Sequence, residues 1–155
     1  PLEDQVKSAS RSYILISNIM HTFIAKRLGV NAANEAFAEY GANIGKHIYS
    51  QYPVKGALKM VQGFLESSQW LGREVECVSA TAERATLRVK KCGPVSRFQD
   101  VIKMGFGYYF TVVRDPCYRC LPINCAAADA LGLKWDVNRE VSGENLTCKI
   151  TITKK

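Results

Sequence analysis

The apolar residues of this chain change their spacing after Gly72, and this change restricts the fold more than any other feature. Before Gly72 they recur every three or four positions, with breaks at Gly29 and Pro53. This spacing predicts three amphipathic helices. Their expected bounds are about 6–27, 31–52 and 54–71, with Asn31 as the N-cap of the second helix.

In the second half of the chain apolar and polar residues alternate, which is typical of strands with one buried face. Ala85, Leu87 and Val89 share one predicted face of the second strand, and Cys77 is expected to pack beside Val75 on the first. A second hairpin is expected over 133–141 and 146–152, and mainly helical segments over 95–104 and 117–131. The fold class is therefore α+β: an antiparallel sheet of two hairpins packed against an N-terminal helical layer, in a single domain over 1–155.

Composition excludes several classes of protein. The 155 residues contain no apolar run near the roughly 18–20 needed to cross a bilayer. No secretory signal is present, so we expect a cytoplasmic, reducing compartment. The net charge of +7 comes from Lys and Arg in runs of at most two, which indicates a basic solvated surface more than a nucleic-acid site. The chain begins at Pro1, which is compatible with a fragment of a longer protein.

Four cysteines form the main candidate site. Cys117, Cys120 and Cys125 lie within nine residues, and Cys148 lies in the last predicted strand. Four thiolates can hold zinc in a tetrahedron, and this spacing can also hold an iron–sulfur cluster. The C-x-x-C pair can instead act as a redox switch, with Arg119 between the two thiols favouring thiolate. Packed, inert thiols are the remaining alternative.

Aromatic residues suggest a ligand pocket. Phe106, Tyr108, Tyr109 and Phe110, together with Trp135, could line an apolar pocket with polar tips, or could fill the core. The two histidines of the chain lie in predicted helices without a spaced carboxylate or cysteine partner. A Ser-His-Asp or Cys-His catalytic arrangement therefore has little support.

Three segments carry a family resemblance. The stretch 28–45 contains Gly41 and Gly45, whose four-residue spacing would let another backbone approach the helix; 89–94 contains Cys92; and the cysteine segment is followed by Gly143 and a terminal strand. In this order they resemble the vinyl-reductase-type ligand-binding domain, the related Golgi-transport tethering subunits and the thiazoline-carboxylate hydrolases.

The resemblance implies a Golgi-transport/NO-signalling ligand-binding type of fold, with a small-molecule pocket between sheet and helices and a homodimer formed through the helices. It also implies a zinc site, in which Cys117 or Cys120 would be the first ligand and Cys148 the last. Related domains are sensor parts of transcription regulators, in which only a fused domain would contact nucleic acid.

We therefore expect a non-enzymatic sensor that binds a small apolar molecule and whose cysteines, Cys117, Cys120, Cys125 and Cys148, hold a metal or respond to redox state. The alternative is a hydrolase of the thiazoline-carboxylate type, with Cys92 or Cys117 near the chemistry. An enzyme should show a polar pocket with a titratable group beside the thiol. A sensor should show an apolar pocket or a closed metal site.

Overall fold

The structure, a computed structural model, describes residues 1–106, 115, 117–142 and 145–155. The described residues form five α-helices, a 3₁₀ turn over Tyr49–Gln51 and a π-helical turn over Ile102–Phe106. The helices are α1 (Leu2–Leu28), α2 (Val30–His47), α3 (Ala57–Leu71), α4 (Gly93–Val101) and α5 (Cys120–Ala130). None of these described helices is both long and apolar enough to cross a membrane.

The described strands form one antiparallel sheet. They are β1 (Glu74–Ala80), β2 (Arg84–Lys91), β3 (Leu133–Ser142) and β4 (Asn145–Lys154). The sheet order is β1-β2-β4-β3, so two hairpins meet through their inner strands β2 and β4. The predicted α+β class and the predicted order of elements are confirmed.

The core lies between one face of the sheet and the helices α3 and α5. On β2, Ala85, Leu87 and Val89 are almost fully buried, as their alternation predicts. Phe64 from α3 packs on Trp135 from β3, with ring centroids 5.2 Å apart. Each such side chain contributes roughly 1.5–3 kcal/mol by leaving water. Burial of this one face therefore fixes which side of the sheet the helices cover.

Helices α2 and α5 lie backbone against backbone. A Cβ atom added to Gly41 would overlap the carbonyl oxygen of Ile123, and one added to Gly45 would overlap that of Ala127. The expected close approach at this glycine pair is confirmed, and α5 is its partner. Because no side chain separates these helices, a displacement of α5 must move α2 as well.

Several local expectations differ from the structure. Helix α2 begins at Val30, so Asn31 lies inside the helix rather than at its cap, and the chain leaves the α-helix at His47 to form the 3₁₀ turn. Residues 117–119 form a turn, and α5 begins only at Cys120. Cys77 is exposed, so it does not pack in a buried layer beside Val75. The two residues still share a face of the edge strand β1, since they pair with Leu87 and Val89 on β2.

Candidate functional site

Four cysteines from four different segments line one small enclosed cavity, here called the thiol pocket. Cys92 lies between β2 and α4, Cys117 in the turn before α5, Cys120 at the first position of α5, and Cys148 on β4. The cavity volume is about 30 Å³. A space of this size accommodates a water molecule or a single ion, and it excludes an organic ligand.

The sheet register explains why these segments meet. Cys148 pairs with Val89 across β4 and β2, and Cys92 follows Val89 by three residues along the chain. Leu146, two residues before Cys148, packs in a small buried cluster with Cys117 and Val95. The end of the β2–β4 ladder therefore brings Cys92 and Cys148 to the place where α5 begins.

Two guanidinium groups border the thiol pocket. Arg73 Nη2 lies 3.9 Å from Cys120 Sγ, and Asn124 Nδ2 donates to the same sulfur at 3.2 Å. Arg139 Nη1 contacts both carboxylate oxygens of Asp115 at 2.9 Å. The backbone N–H of Cys117 donates to Asp115 Oδ1 at 2.8 Å. Asp115 thus holds both the turn of Cys117 and the guanidinium of Arg139 in place.

Burial disfavours the charged form of these thiols. It raises the pKa of Cys117 to about 11, although a hydrogen bond to Arg139 opposes the rise. It raises the pKa of Cys148 to about 12, and electrostatic interaction with the neighbouring thiols of Cys120, Cys92 and Cys117 adds to this rise. Burial also raises the pKa of Cys92. In the absence of a bound cation, Cys92, Cys117 and Cys148 are therefore protonated at neutral pH.

The structure brings three of the four predicted site cysteines into the pocket, and Cys92 takes the place expected for Cys125. Cys125 is exposed, and its Sγ contacts the carbonyl oxygen of Trp135 at 4.0 Å. Helix geometry explains this, because Cys125 lies five residues after Cys120 and so turns away from it by more than a quarter circle. Within the described residues, no three His, Cys, Asp or Glu side chains already form a metal-binding group.

The predicted aromatic pocket residues occupy different surroundings. Trp135 is buried in the core and lines the thiol pocket. Phe106 is partly exposed at the end of the π-helical turn that follows α4. Tyr108, Tyr109 and Phe110 lie outside the described residues. Trp135 therefore contributes to a wall of the thiol pocket, where only a water-sized species fits.

A larger apolar cavity of about 300 Å³ lies between α1 and α2 and is here called the helix groove. Its walls include Ile16 and Met20 from α1 and Phe37 from α2, with Tyr13 and Tyr40 at the side that faces α3. This volume is at the lower end for small-molecule sites. Unlike the thiol pocket, the helix groove is wide enough for an organic ligand.

No family model and no curated protein matches the sequence. Among solved structures, the chain resembles crystal structures of Fe(II) unliganded H-NOX protein from K. algicida, one of them a mutant. Both give a TM-score of 0.46, at 10% identity for the mutant and 9% for the other, over 92% of this chain and 95% of theirs. Scores this low do not assign the chain to that family.

Proposed function

We propose that this chain is a small-molecule sensor domain whose thiol pocket holds a thiophilic metal ion, with zinc as the first candidate. The observation that carries the proposal is the convergence of Cys92, Cys117, Cys120 and Cys148 on one enclosed cavity. Four thiols from segments far apart in the chain form the donor set that structural zinc prefers. The cavity volume suits one ion and excludes an organic molecule.

The charges around the pocket fit this donor set. Zinc with four thiolates carries a net charge of about −2, and such a buried charge needs compensation. Arg73 and Arg139 both line the pocket and supply two positive charges. The raised pKa values of Cys117 and Cys148 belong to the metal-free protein, and a bound metal displaces these protons. Because the described residues contain no preformed metal-binding group, the thiol side chains must change rotamer when the ion binds.

The packing of α5 provides a route from this pocket to the rest of the domain. Cys120 is the first residue of α5, and the same helix lies directly on Gly41 and Gly45 of α2. A shift at the start of α5 would therefore move α2 and change the width of the helix groove. In this proposal the groove takes the small apolar ligand, and occupation of either cavity biases the other. A fused domain would carry any contact with nucleic acid.

Metal analysis of protein purified without oxygen tests the proposal. We expect one zinc per chain, which Cys92→Ser, Cys117→Ser, Cys120→Ser and Cys148→Ser each reduce strongly. Cys125→Ser is the matched control, because it removes a neighbouring thiol that lies outside the pocket, and it should keep its zinc. Two results would show that the thiol pocket is not a metal site. One is wild-type protein that contains no zinc after reconstitution, and the other is an equal loss of zinc in C125S and C148S.

A redox switch is the second candidate, and one contact favours it. Cys120 Sγ receives a hydrogen bond from Asn124 and lies close to Arg73 at the N-terminus of a helix, which are surroundings typical of reactive thiols. Reversible loss of two free thiols on mild oxidation, in protein that contains no zinc, would support this candidate. The loss should disappear in C120S and persist in C125S.

No described residue that lines the thiol pocket favours the hydrolase alternative. Besides the thiols, the titratable groups that line the pocket are Arg73 and Arg139, and an arginine does not exchange its proton near neutral pH. The lining formed by described residues contains no histidine and no carboxylate. Among the described residues, a thiol there therefore has no general acid or base within its own cavity.

We also propose that the domain forms a homodimer through α1. Met20 and Phe23 lie on this helix with 56% and 58% of their surface exposed, and Ile16 is similarly exposed. A large apolar patch on one helix favours association, since each covered side chain leaves water. The helix groove opens on the same surface, so dimerisation and ligand binding would influence each other.

A further inference from the structure

A buried arginine without an acidic partner lies next to the thiol pocket. Arg119, in the turn before α5, keeps only 5% of its surface exposed. Its Nη1 atom is buried and has no hydrogen-bond partner among the described residues. Among the described residues, Arg119 forms no ion pair with a carboxylate; its guanidinium instead lies 4.8 Å from the centre of the Tyr13 ring.

An unpaired buried guanidinium is unfavourable, because the charge has lost its water and gains too little in return. A contact with an aromatic face compensates only in part. Each such unsatisfied buried group needs a physical explanation, and a ligand that supplies the missing negative charge is one. A ligand that compensates the charge of Arg119 would bind in the cavity that Arg119 lines.

That cavity, here called the arginine cavity, has a volume of about 280 Å³ and lies between α1, α2, α3 and α5. A second arginine, Arg73, also lines it and has no ion-pair partner among the described residues. Aromatic side chains form much of the wall: Tyr13, Tyr40, Tyr49 and Trp70. Two arginines thus line a space with aromatic sides.

The tyrosines add hydrogen-bond donors. Burial raises the pKa of Tyr49 to about 12, although the charge of Arg73 opposes this rise. Burial also raises the pKa of Tyr40. Both phenols therefore keep their protons at neutral pH and can donate to an anion. A carboxylate matches the planar fork of a guanidinium, and an aromatic body matches the aromatic walls.

We propose that the arginine cavity is a binding site for a small aromatic carboxylate, whose carboxylate group is held by Arg119 and Arg73. This goes beyond the proposed metal site, because it names a second ligand of different chemistry in a different cavity. The two sites share Arg73 and Cys120 at their border.

Titration calorimetry with 2-naphthoate and its neutral counterpart 2-naphthamide tests the proposal on the wild-type chain. We expect the carboxylate to bind about 10- to 100-fold more tightly than the amide, as for hydrogen bonds to a charged group. Equal affinities, or no binding of either compound at millimolar concentration, would overturn the proposal. This comparison requires no variant, so it holds even if a substitution prevents folding.

Variants then assign the effect to Arg119. Arg119→Met should abolish the preference for naphthoate, and Arg119→Lys should retain part of it. Arg88→Met, at an exposed arginine on β2, is the matched control and should bind like wild type. Without ligand, Arg119→Met should raise the melting temperature by about 2–5 °C, because a buried unpaired charge is removed. A full naphthoate preference in folded R119M would refute the assignment.

The zinc content of the same samples separates this proposal from the previous one. Naphthoate preference without zinc would overturn the metal site and leave the carboxylate site standing. Stoichiometric zinc without naphthoate preference would do the reverse.

Discussion

Arg73 Nη2 lies 3.9 Å from Cys120 Sγ, and these two side chains form the border between the thiol pocket and the arginine cavity. One guanidinium therefore borders both proposed sites. A carboxylate bound in the arginine cavity would attract Arg73, and so would a zinc centre that carries negative charge. The two ligands would then compete for the same positive charge although they occupy different cavities.

This shared border predicts that zinc and 2-naphthoate weaken each other. Naphthoate at saturation should reduce zinc affinity by about fivefold or more, and zinc should reduce naphthoate affinity by the same factor, because binding coupling is reciprocal. Competition with a coloured zinc chelator, with and without naphthoate, measures the factor. In Arg73→Met the coupling should fall toward zero. If saturating naphthoate left the zinc affinity of wild-type protein unchanged, Arg73 would not interact with both ligands.

The raised thiol pKa values predict how stability depends on pH in the metal-free protein. The pKa of Cys117 is about 11 and that of Cys148 about 12, whereas an unfolded cysteine titrates near pH ~8.5. Folding thus keeps these thiols protonated. Their contribution to stability is complete below pH ~8.5 and is lost as the pH rises toward the folded pKa values, by up to about 1.4 kcal/mol per pH unit for each thiol.

Urea unfolding at pH 8 and pH 10 measures this loss. Wild-type protein without metal should lose stability over this interval, and Cys148→Ala should lose less, because one raised thiol is gone. Cys77→Ala removes an exposed thiol and serves as the control, with the wild-type pH dependence. An identical pH dependence in C148A and wild type would contradict the high pKa of Cys148.

Local spacing was sufficient for the type and order of most elements, though not for all of their bounds, and for one tertiary contact. The alternation of Ala85, Leu87 and Val89 predicts a strand with one buried face. In the structure these three side chains are buried. The four-residue spacing of Gly41 and Gly45 predicts a close backbone approach, because glycine has no side chain to hold another helix away. The sequence does not name α5 as the partner, because the partner depends on how distant elements pack.

Which residues form the candidate sites depends on such distant packing. Proximity along the chain favoured Cys125 as a member of the candidate site. The pairing of Val89 with Cys148 brings Cys92 to the pocket instead. That pairing joins the inner strands of two hairpins, and no local sequence pattern predicts it. Arg119 was expected to influence its neighbouring thiols, and its burial follows only from the packing of α1 and α2 around the turn. An arginine is by default an exposed residue.

The contact of Gly41 with Ile123 predicts a severe effect of a single methyl group. Gly41→Ala places a Cβ against a backbone carbonyl that cannot move without displacing α5. We expect a loss of about 1–3 kcal/mol in the free energy of unfolding, as for overpacked cores. Asn43→Ala, at an exposed position of the same helix, should have little effect or stabilise slightly, since alanine favours helices. Urea unfolding of both variants checks the difference.

If zinc is bound, Gly41→Ala should also lower its affinity, because Cys120 begins the helix that the new methyl group displaces. A variant that loses stability but keeps full zinc affinity would mean that α5 does not transmit strain to the thiol pocket.

The exposed apolar residues of α1 predict that charge on this helix prevents self-association. Met20→Glu and Phe23→Glu should each shift a dimer to monomer at micromolar concentration, because a carboxylate buried in an apolar interface loses its water without a partner. Val78→Glu is the control: Val78 has 51% of its surface exposed on the edge strand β1, and the new charge there should leave the oligomeric state unchanged. Sedimentation velocity distinguishes the states. Wild-type protein that stays monomeric at the highest soluble concentration, or equal dissociation by V78E and M20E, would show that α1 is not the dimer interface.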